Sequence, residues 1–258
     1  NMVLQQKSTL TIHGTAKPGS QVTLVTGWNK KGVTAQASAT DGRFTLTIET
    51  PKGSLKPYDM TFSDGEETTL SNVLIGEVWL GSGQSNMERP IKGWGKVLNY
   101  EQEIANANYP NIRLLQVAKR TSLRPLEQVE VNMNGWQECS PQSVENFSAL
   151  CYFYALRLWE ELKVPVGIID DDWGGTPAEA WTRAEALQEV TGFEEQASKI
   201  LALHYDETAV KNYYESLSQE KRPYIQDFHH SNHATVLYYA MIHPLIEFPS
   251  RGVIWYQG

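Results

Sequence analysis

Apolar and polar positions fall into two textures along this chain. Up to about residue 70 they alternate in short runs: Thr9-Leu-Thr-Ile-His13, Gln21-Val-Thr-Leu-Val25, residues 35–39, Arg43-Phe-Thr-Leu-Thr-Ile48, Tyr58-Asp-Met-Thr-Phe62 and residues 68–70. Alternation with a period of two, bounded by turn residues, predicts half-buried strands. Lys17-Pro-Gly-Ser20, Asp41-Gly42 and Asp64-Gly65 supply turns, with Pro51, Gly53 and Pro57 between two of the runs. Residues 1–70 are therefore expected to form a small all-β sandwich domain.

After Leu70 the texture becomes strands alternating with helices. Residues 73–80 form an unbroken apolar run, β-branched and aromatic enough for a buried parallel strand, and residues 111–117, 164–169 and 253–256 read as further strands. Between them, residues 144–163 place Phe147, Cys151, Tyr154, Leu158 and Leu162 at spacings of three and four, which is one apolar helical stripe. Thr182 is expected to cap a helix through Val190, with Glu185 three residues on completing a capping box. Residues 193–219 read as one long helix or two with a solvated charged face, residues 221–232 as a loop, and residues 234–248 as a helix ended by Pro249. This rhythm predicts an α/β fold over residues 71–258, with a parallel sheet flanked by helices.

Composition narrows the function classes. The 258 residues are 41% hydrophobic, enough for an ordinary core, and no apolar stretch approaches the length that spans a bilayer. A formal net charge of −8 disfavours nucleic acid or an anionic membrane as partner, because both demand a basic face. The two cysteines, Cys139 and Cys151, form neither a disulfide framework nor a metal-ligand cluster. Cys151 lies on the apolar stripe and reads as core, a single bridge to Cys139 being the alternative. The chain opens on Asn1, so an upstream segment is expected to have been removed, a secretory signal peptide being the candidate.

Chemistry concentrates where the run 73–80 breaks into Gly81-Ser82-Gly83-Gln84-Ser85. A serine at the carboxyl end of a core strand sits on a rigid support, at the edge where open α/β sheets bind ligands. The α/β-hydrolase elbow is excluded, because Met87 fills its second glycine position. A polar turn in which the serine only caps a short helix is the bland alternative.

Gly83-Gln84-Ser85-Asn86-Met87 resembles the first sequence block of the SGNH hydrolases, and in its wider context the sialate O-acetylesterase-like branch of carbohydrate esterases. Asp172-Trp-Gly-Gly-Thr-Pro177 with Glu179-Ala-Trp181 is similar to the second block of that branch. Leu237-Tyr-Tyr-Ala-Met-Ile-His-Pro-Leu245 followed by Arg251-Gly-Val-Ile-Trp-Tyr-Gln-Gly258 is similar to its third. Met2-Val-Leu-Gln5 and Phe147-Ser-Ala-Leu-Cys-Tyr-Phe153 fit as well, so the resemblance runs through nearly the whole chain.

The resemblance implies an SGNH-type sheet, incomplete here, and a carbohydrate O-acetylesterase acting on sialic acid or hemicellulose through an acetyl-serine. It implies a periplasmic or secreted enzyme with no metal or organic cofactor. Ser85 is the expected nucleophile, with its own N–H, a backbone N–H of Gly174 or Gly175 and the side-chain amide of Gln257 as oxyanion donors. Glu179 and Trp181 are the residues expected to line a sugar pocket, packing being the alternative, while Asn86 and Glu88 are expected to brace the serine turn.

Two departures matter. Three acids in a row, Asp170, Asp171 and Asp172, stand where relatives carry Asn or Ser, and at least two are expected to point away or be paired, since an ionised carboxylate beside the oxyanion opposes catalysis. The Asp-x-x-His pair that supplies base and orienting acid lies beyond Gly258 in relatives, so the sequence is expected to be the N-terminal part of a longer protein. His229, His230, His233 and His243 are the internal alternatives for the base; His13 is expected to be packed or exposed in a strand. Two other functions stay open: an SGNH lipase or thioesterase, against which the sequence shows no apolar stretch for an acyl channel, and a non-catalytic glycan-binding relative, favoured by the acidic run and opposed by the intact serine turn.

Overall fold

The computed structural model describes residues 1–221 and 230–258. The alternating N-terminal runs form β1 (Val3–Gln5), β2 (Thr9–Thr15), β3 (Gln21–Thr26), β4 (Gly32–Gln36), β5 (Arg43–Glu49) and β6 (Ser54–Ser63). β2 and β5 pair antiparallel as a separate two-stranded sheet, while β4, β3 and β6 line up antiparallel at one end of a nine-stranded sheet. Because side chains alternate, Leu10, Leu46 and Ile48 of the small sheet and Val22, Leu24 and Met60 of the large one are buried in one cluster. Each such side chain contributes about 1.5–3 kcal/mol on burial.

The next strand, β7 (Glu67–Gly83), absorbs both the short run 68–70 and the apolar run 73–80 into a single element of 17 residues. It passes unbroken through position 70. Asn72 has φ 59° and the pairing with β6 shifts register near Tyr58 and Met60, a local irregularity of the kind that bends a strand. β7 pairs antiparallel with β6 over its first half and parallel with β1 at residues 74–76. β1 is too short for its alternation to be seen in the sequence.

The remaining elements are α1 (Ser85–Glu88), α2 (Tyr100–Asn106), β8 (Tyr109–Gln116), β9 (Gln137–Cys139), α3 (Pro141–Val144), α4 (Ala149–Leu162), β10 (Val166–Asp172), α5 (Ala184–Leu187), α6 (Glu194–Ala202), α7 (Glu207–Lys221) and β11 (Gly252–Tyr256). β10 and β11 both pair parallel with β7 at residues 79–83, so they lie on its two edges, and β8 pairs parallel with β10. The result is a mostly parallel sheet with helices on both faces. Ile112, Leu114, Val166 and Ile168 pack towards α1 and α4, with Met87, Cys151 and Ala155. Val78, Leu115 and Ile169 pack the other way, with Leu187 of α5, Ile200 of α6 and Tyr214 of α7. Cys139 and Cys151 are both free and buried, and among the described residues no helix is long and apolar enough to cross a membrane.

Three expected helices differ from those observed. The stripe 144–163 is divided, with Ser140 capping α3 and Ser148 capping α4; Cys151 is fully buried while Leu162 is 48% exposed. The Thr182 and Glu185 capping box does not form, because Arg183 occupies the N-cap of the short α5 and the Thr182 side chain turns back to donate to the Ala178 carbonyl. In place of a regular helix over 234–248 there is a π-helical turn (Tyr238–Ile242) running into a 3₁₀ turn (His243–Leu245). Pro244 has no N–H to continue an α-helical ladder, and its ring crowds the carbonyl four residues back. Of the two options for 193–219, two helices form, broken where His204 and Tyr205 take φ 47° and 59°.

β7 ends at Gly83, where φ is +142° and an added Cβ would stand 2.1 Å from the Tyr256 carbonyl oxygen of β11. That backbone contact cannot yield as a flexible side chain would. Gly83→Ala is expected to lower stability by about 2 kcal/mol or more in urea unfolding, through left-handed strain and loss of the β7–β11 contact. An unchanged midpoint would show that the strand end is not packed as described.

Candidate active site

Ser85 is the first residue of α1, separated from the end of β7 at Gly83 only by Gln84. The turn is held by its own backbone: the Gln84 N–H donates to the Tyr256 carbonyl (3.1 Å), and the Gln84 carbonyl accepts from the N–H groups of Met87 (2.8 Å) and Glu88 (3.0 Å). The side chain of Gln84 folds over the same turn. Its Oε1 accepts from the Ser85 N–H at 3.0 Å, from the Ser85 hydroxyl at 2.8 Å and from the Gly175 N–H at 3.3 Å.

The loop after β10 lies against this turn. A Cβ built on Gly174 would stand 3.4 Å from both Cα and Cβ of Ser85 and 2.8 Å from a Glu88 carboxylate oxygen, so a side chain there would push the Glu88 carboxylate aside. The Gly174 N–H donates to Glu88 Oε2, and Glu88 Oε1 accepts from Lys119 Nζ at 2.5 Å. Lys119 Nζ also stands 5.8 Å from the centroid of the Trp173 ring. Further along, Thr176 donates from its hydroxyl to the Trp173 carbonyl (2.6 Å) and accepts from the Trp181 indole N–H (2.8 Å). Gln257 Nε2, just past β11, donates to the Thr176 carbonyl at 3.0 Å. With the Trp173 N–H on the Gly83 carbonyl at 3.1 Å, every residue from Trp173 to Thr176 is tied to an element that borders Ser85.

The three acids sit inside β10, all buried. Alternation puts Asp170 and Asp172 on the face of α1 and α4 and turns Asp171 to the other face, beside Ser82 in the β7 register. Asp170 accepts from Gln116 Nε2 at 3.1 Å and from the Ser148 N–H at 3.4 Å. Burial raises all three carboxyls above the usual carboxylate range. Asp172 is pushed up to about 11, by desolvation first and then by the Asp170 charge beside it. Asp172, the acid that leads into the Gly174 loop, is therefore held neutral beside Ser85. Among the described residues no three His, Cys, Asp or Glu side chains group as a metal-binding set.

No family model matches this chain. Among characterised proteins, the sialate O-acetylesterases of Pongo abelii and Homo sapiens are each 29% identical to it over 272 residues, covering all of this chain and 47% of theirs. That of Rattus norvegicus is 27% identical over 275 residues, covering 50% of its length. A crystal structure of a carbohydrate acetylesterase from Xanthomonas citri superposes with a TM-score of 0.75 at 29% identity, over 99% of this chain and 49% of that one. Over its whole length the chain is similar to sialate O-acetylesterases and to this carbohydrate acetylesterase. It spans about half the length of the curated relatives it matches.

In this chain, Ser85, Gly174, Gly175 and Gln257 fall into one cluster through Gln84, Glu88 and Thr176. Glu88 ties the serine helix to the glycine loop, and Asn86 Nδ2 stands 3.5 Å from where a Cβ of Gly258 would lie. Trp181 is 6% exposed and meets Trp255 edge-on at 5.9 Å, so its ring is packed within the fold. Glu179 is half-buried in the same 3₁₀ turn (Ala178–Trp181), and its carbonyl accepts from the Thr235 N–H. Among the histidines, His243 contacts the Leu126 carbonyl, His230 the Asn232 N–H, and His233 stacks on Tyr214 at 4.4 Å. His13 pairs with Glu247, and His229 lies outside the described residues.

Two site residues escape sequence reasoning, Gln84 and Lys119. Lys119 follows the carboxyl end of the parallel strand β8, a position where ligand-side residues collect, and that was the available signal.

The raised carboxyl of Asp172 has a measurable consequence. A group protonated in the fold but ionised in the unfolded chain contributes stability that is full below about pH 3.9 and is lost as pH rises towards the folded value. Wild type is therefore expected to lose stability between pH 5 and 8, and Asp172→Asn to lose less by more than about 1 kcal/mol in urea unfolding. Identical pH slopes in the two proteins would contradict a neutral Asp172.

Proposed function

We propose that this chain carries the nucleophile and acyl-oxygen site of an esterase that removes O-acetyl groups from sugars. One observation carries the reading: the N–H groups of Ser85 and Gly175 converge on a single point 2.8 Å from the Ser85 hydroxyl. An ester carbonyl oxygen at that point has two fixed donors, with its carbon next to Oγ, which is the geometry oxyanion stabilisation requires. The named activities of the similar proteins, sialate O-acetylesterase and carbohydrate acetylesterase, support an O-acetylated sugar as substrate, and sialic acid or hemicellulose is the source we propose.

In this mechanism a base takes the hydroxyl hydrogen as Ser85 Oγ bonds to the acetyl carbon, and the carbonyl electron pair moves onto the oxygen held by the two N–H groups. Collapse breaks the bond to the sugar oxygen, which takes the proton from the base. Water repeats the sequence on the acetyl-serine and releases acetate. We assign the donors to Ser85 and Gly175, because the Gly174 N–H is spent on Glu88. Gln257 is the proposed third donor, with one amide hydrogen on Thr176 and a second left to give. Glu179 is assigned to the wall of the sugar pocket beyond the loop, with the buried Trp181 ring packed behind it. The base is a histidine held by an aspartate outside this chain, and the enzyme works in the periplasm or outside the cell.

The test compares acetate release from 4-nitrophenyl acetate and an acetylated sialic acid by this 258-residue chain, the full-length protein and full-length Ser85→Ala. The full-length wild type is expected to be active, and Ser85→Ala to lower kcat by about 10³-fold or more. An active Ser85→Ala protein overturns the nucleophile assignment. Equal activity in the short chain places the base among its own histidines.

A further inference from the structure

The point where the Ser85 and Gly175 N–H groups meet already has an occupant. Gln84 Oε1 stands 3.0 Å from the first nitrogen, 3.3 Å from the second and 2.8 Å from the Ser85 hydroxyl, which donates to it. An amide oxygen is a planar carbonyl oxygen with two lone pairs, close in shape and polarity to the carbonyl oxygen of an ester. It takes the donors an incoming acyl oxygen would need. It also holds the hydroxyl hydrogen that a base must remove. We propose that Gln84 is a positioning residue whose side-chain oxygen fills the acyl-oxygen position in the resting molecule and is displaced when the ester enters. This rests on the esterase reading above.

The surroundings permit the exchange without refolding. The backbone of Gln84 is pinned on both sides, by its N–H on Tyr256 and by its carbonyl on Met87 and Glu88, so its long side chain can leave while the turn stays. The glycine loop is held independently of Gln84. Its Gly174 N–H is on the Glu88 carboxylate, itself held by Lys119, and its Thr176 carbonyl is on Gln257. Departure of the amide therefore leaves two aligned donors facing a vacated position. In the empty site Gln84 keeps those N–H groups paired and the hydroxyl oriented; in the occupied site the substrate oxygen takes over. The resting contact competes with the substrate for the same hydrogens, so its strength is felt in KM.

Two variants and two readouts test this in the full-length protein. Removing the competitor in Gln84→Ala is expected to lower KM for 4-nitrophenyl acetate at least threefold. Gln84→Glu, with a carboxylate of the same shape, holds the donors more tightly when ionised and is expected to raise KM at least tenfold at pH 8.5. A purely structural role predicts that both variants fall in kcat with KM unmoved, and that result, or the reverse order of KM, overturns the displacement. Amide hydrogen exchange gives an arm independent of turnover: Gln84→Ala is expected to speed exchange at the Ser85 and Gly175 N–H groups about tenfold or more. Unchanged exchange overturns the proposal even if KM moves. A wild type that hydrolyses no ester overturns the esterase reading, and the displacement with it, whereas a hydrolysing wild type with unmoved KM in the variants overturns the displacement alone.

Discussion

Most of this structure depends on one strand meeting several partners along a single run. β7 satisfies β6 and β1 in its first half and β10 and β11 in its second, so its hydrogen bonds couple the antiparallel layers to the parallel sheet. The second half is boxed in on both edges. Its end at Gly83 lies so close to Tyr256 that the chain has no side chain to spend there, and the following turn is fixed before Ser85 begins. The rigidity of the serine is thus a property of the sheet, and the four-residue helix after it does little of that work.

Electrostatics follows from the same packing. The sheet sequesters three consecutive acids from water, and burial pushes each carboxyl towards the neutral form, which lowers the negative charge that faces the proposed acyl-oxygen position. The acid next to the glycine loop, Glu88, is handled differently: it meets the Gly174 N–H on one oxygen and the Lys119 ammonium on the other. One set of carboxyls is silenced by desolvation and another by partners, within a few residues of each other.

The sequence made the strand and turn around Ser85 legible, because a buried apolar run that breaks at glycines has few other readings. It did not show that 68–70 and 73–80 are one strand, since Ser71 and Asn72 look like a turn and Asn72 does take a left-handed conformation, yet pairing with β6 continues across it. The helix expected over 234–248 failed on Pro244, whose effect was visible in principle, and the Thr182 cap failed because the helix starts one residue later, with Arg183 at its N-cap. Gly174, Gly175 and Gln257 came from resemblance. The role of Gln84 could not come from either source: where a flexible amide points is decided by three hydrogens brought together from positions 85 and 175.

The pairing of β7 with β11 also sets an order of events during synthesis. Gly83 and Tyr256 are neighbours in the sheet but far apart in the chain, so at ~5–20 residues per second the ribosome delivers the second roughly 10–35 s after the first. Throughout that interval the strand carrying the serine has an uncovered edge, apolar and able to pair with another nascent chain. Long-range parallel pairing is slow to form in any case. The β7–β11 pairing thus leaves that edge in need of shielding for as long as translation proceeds.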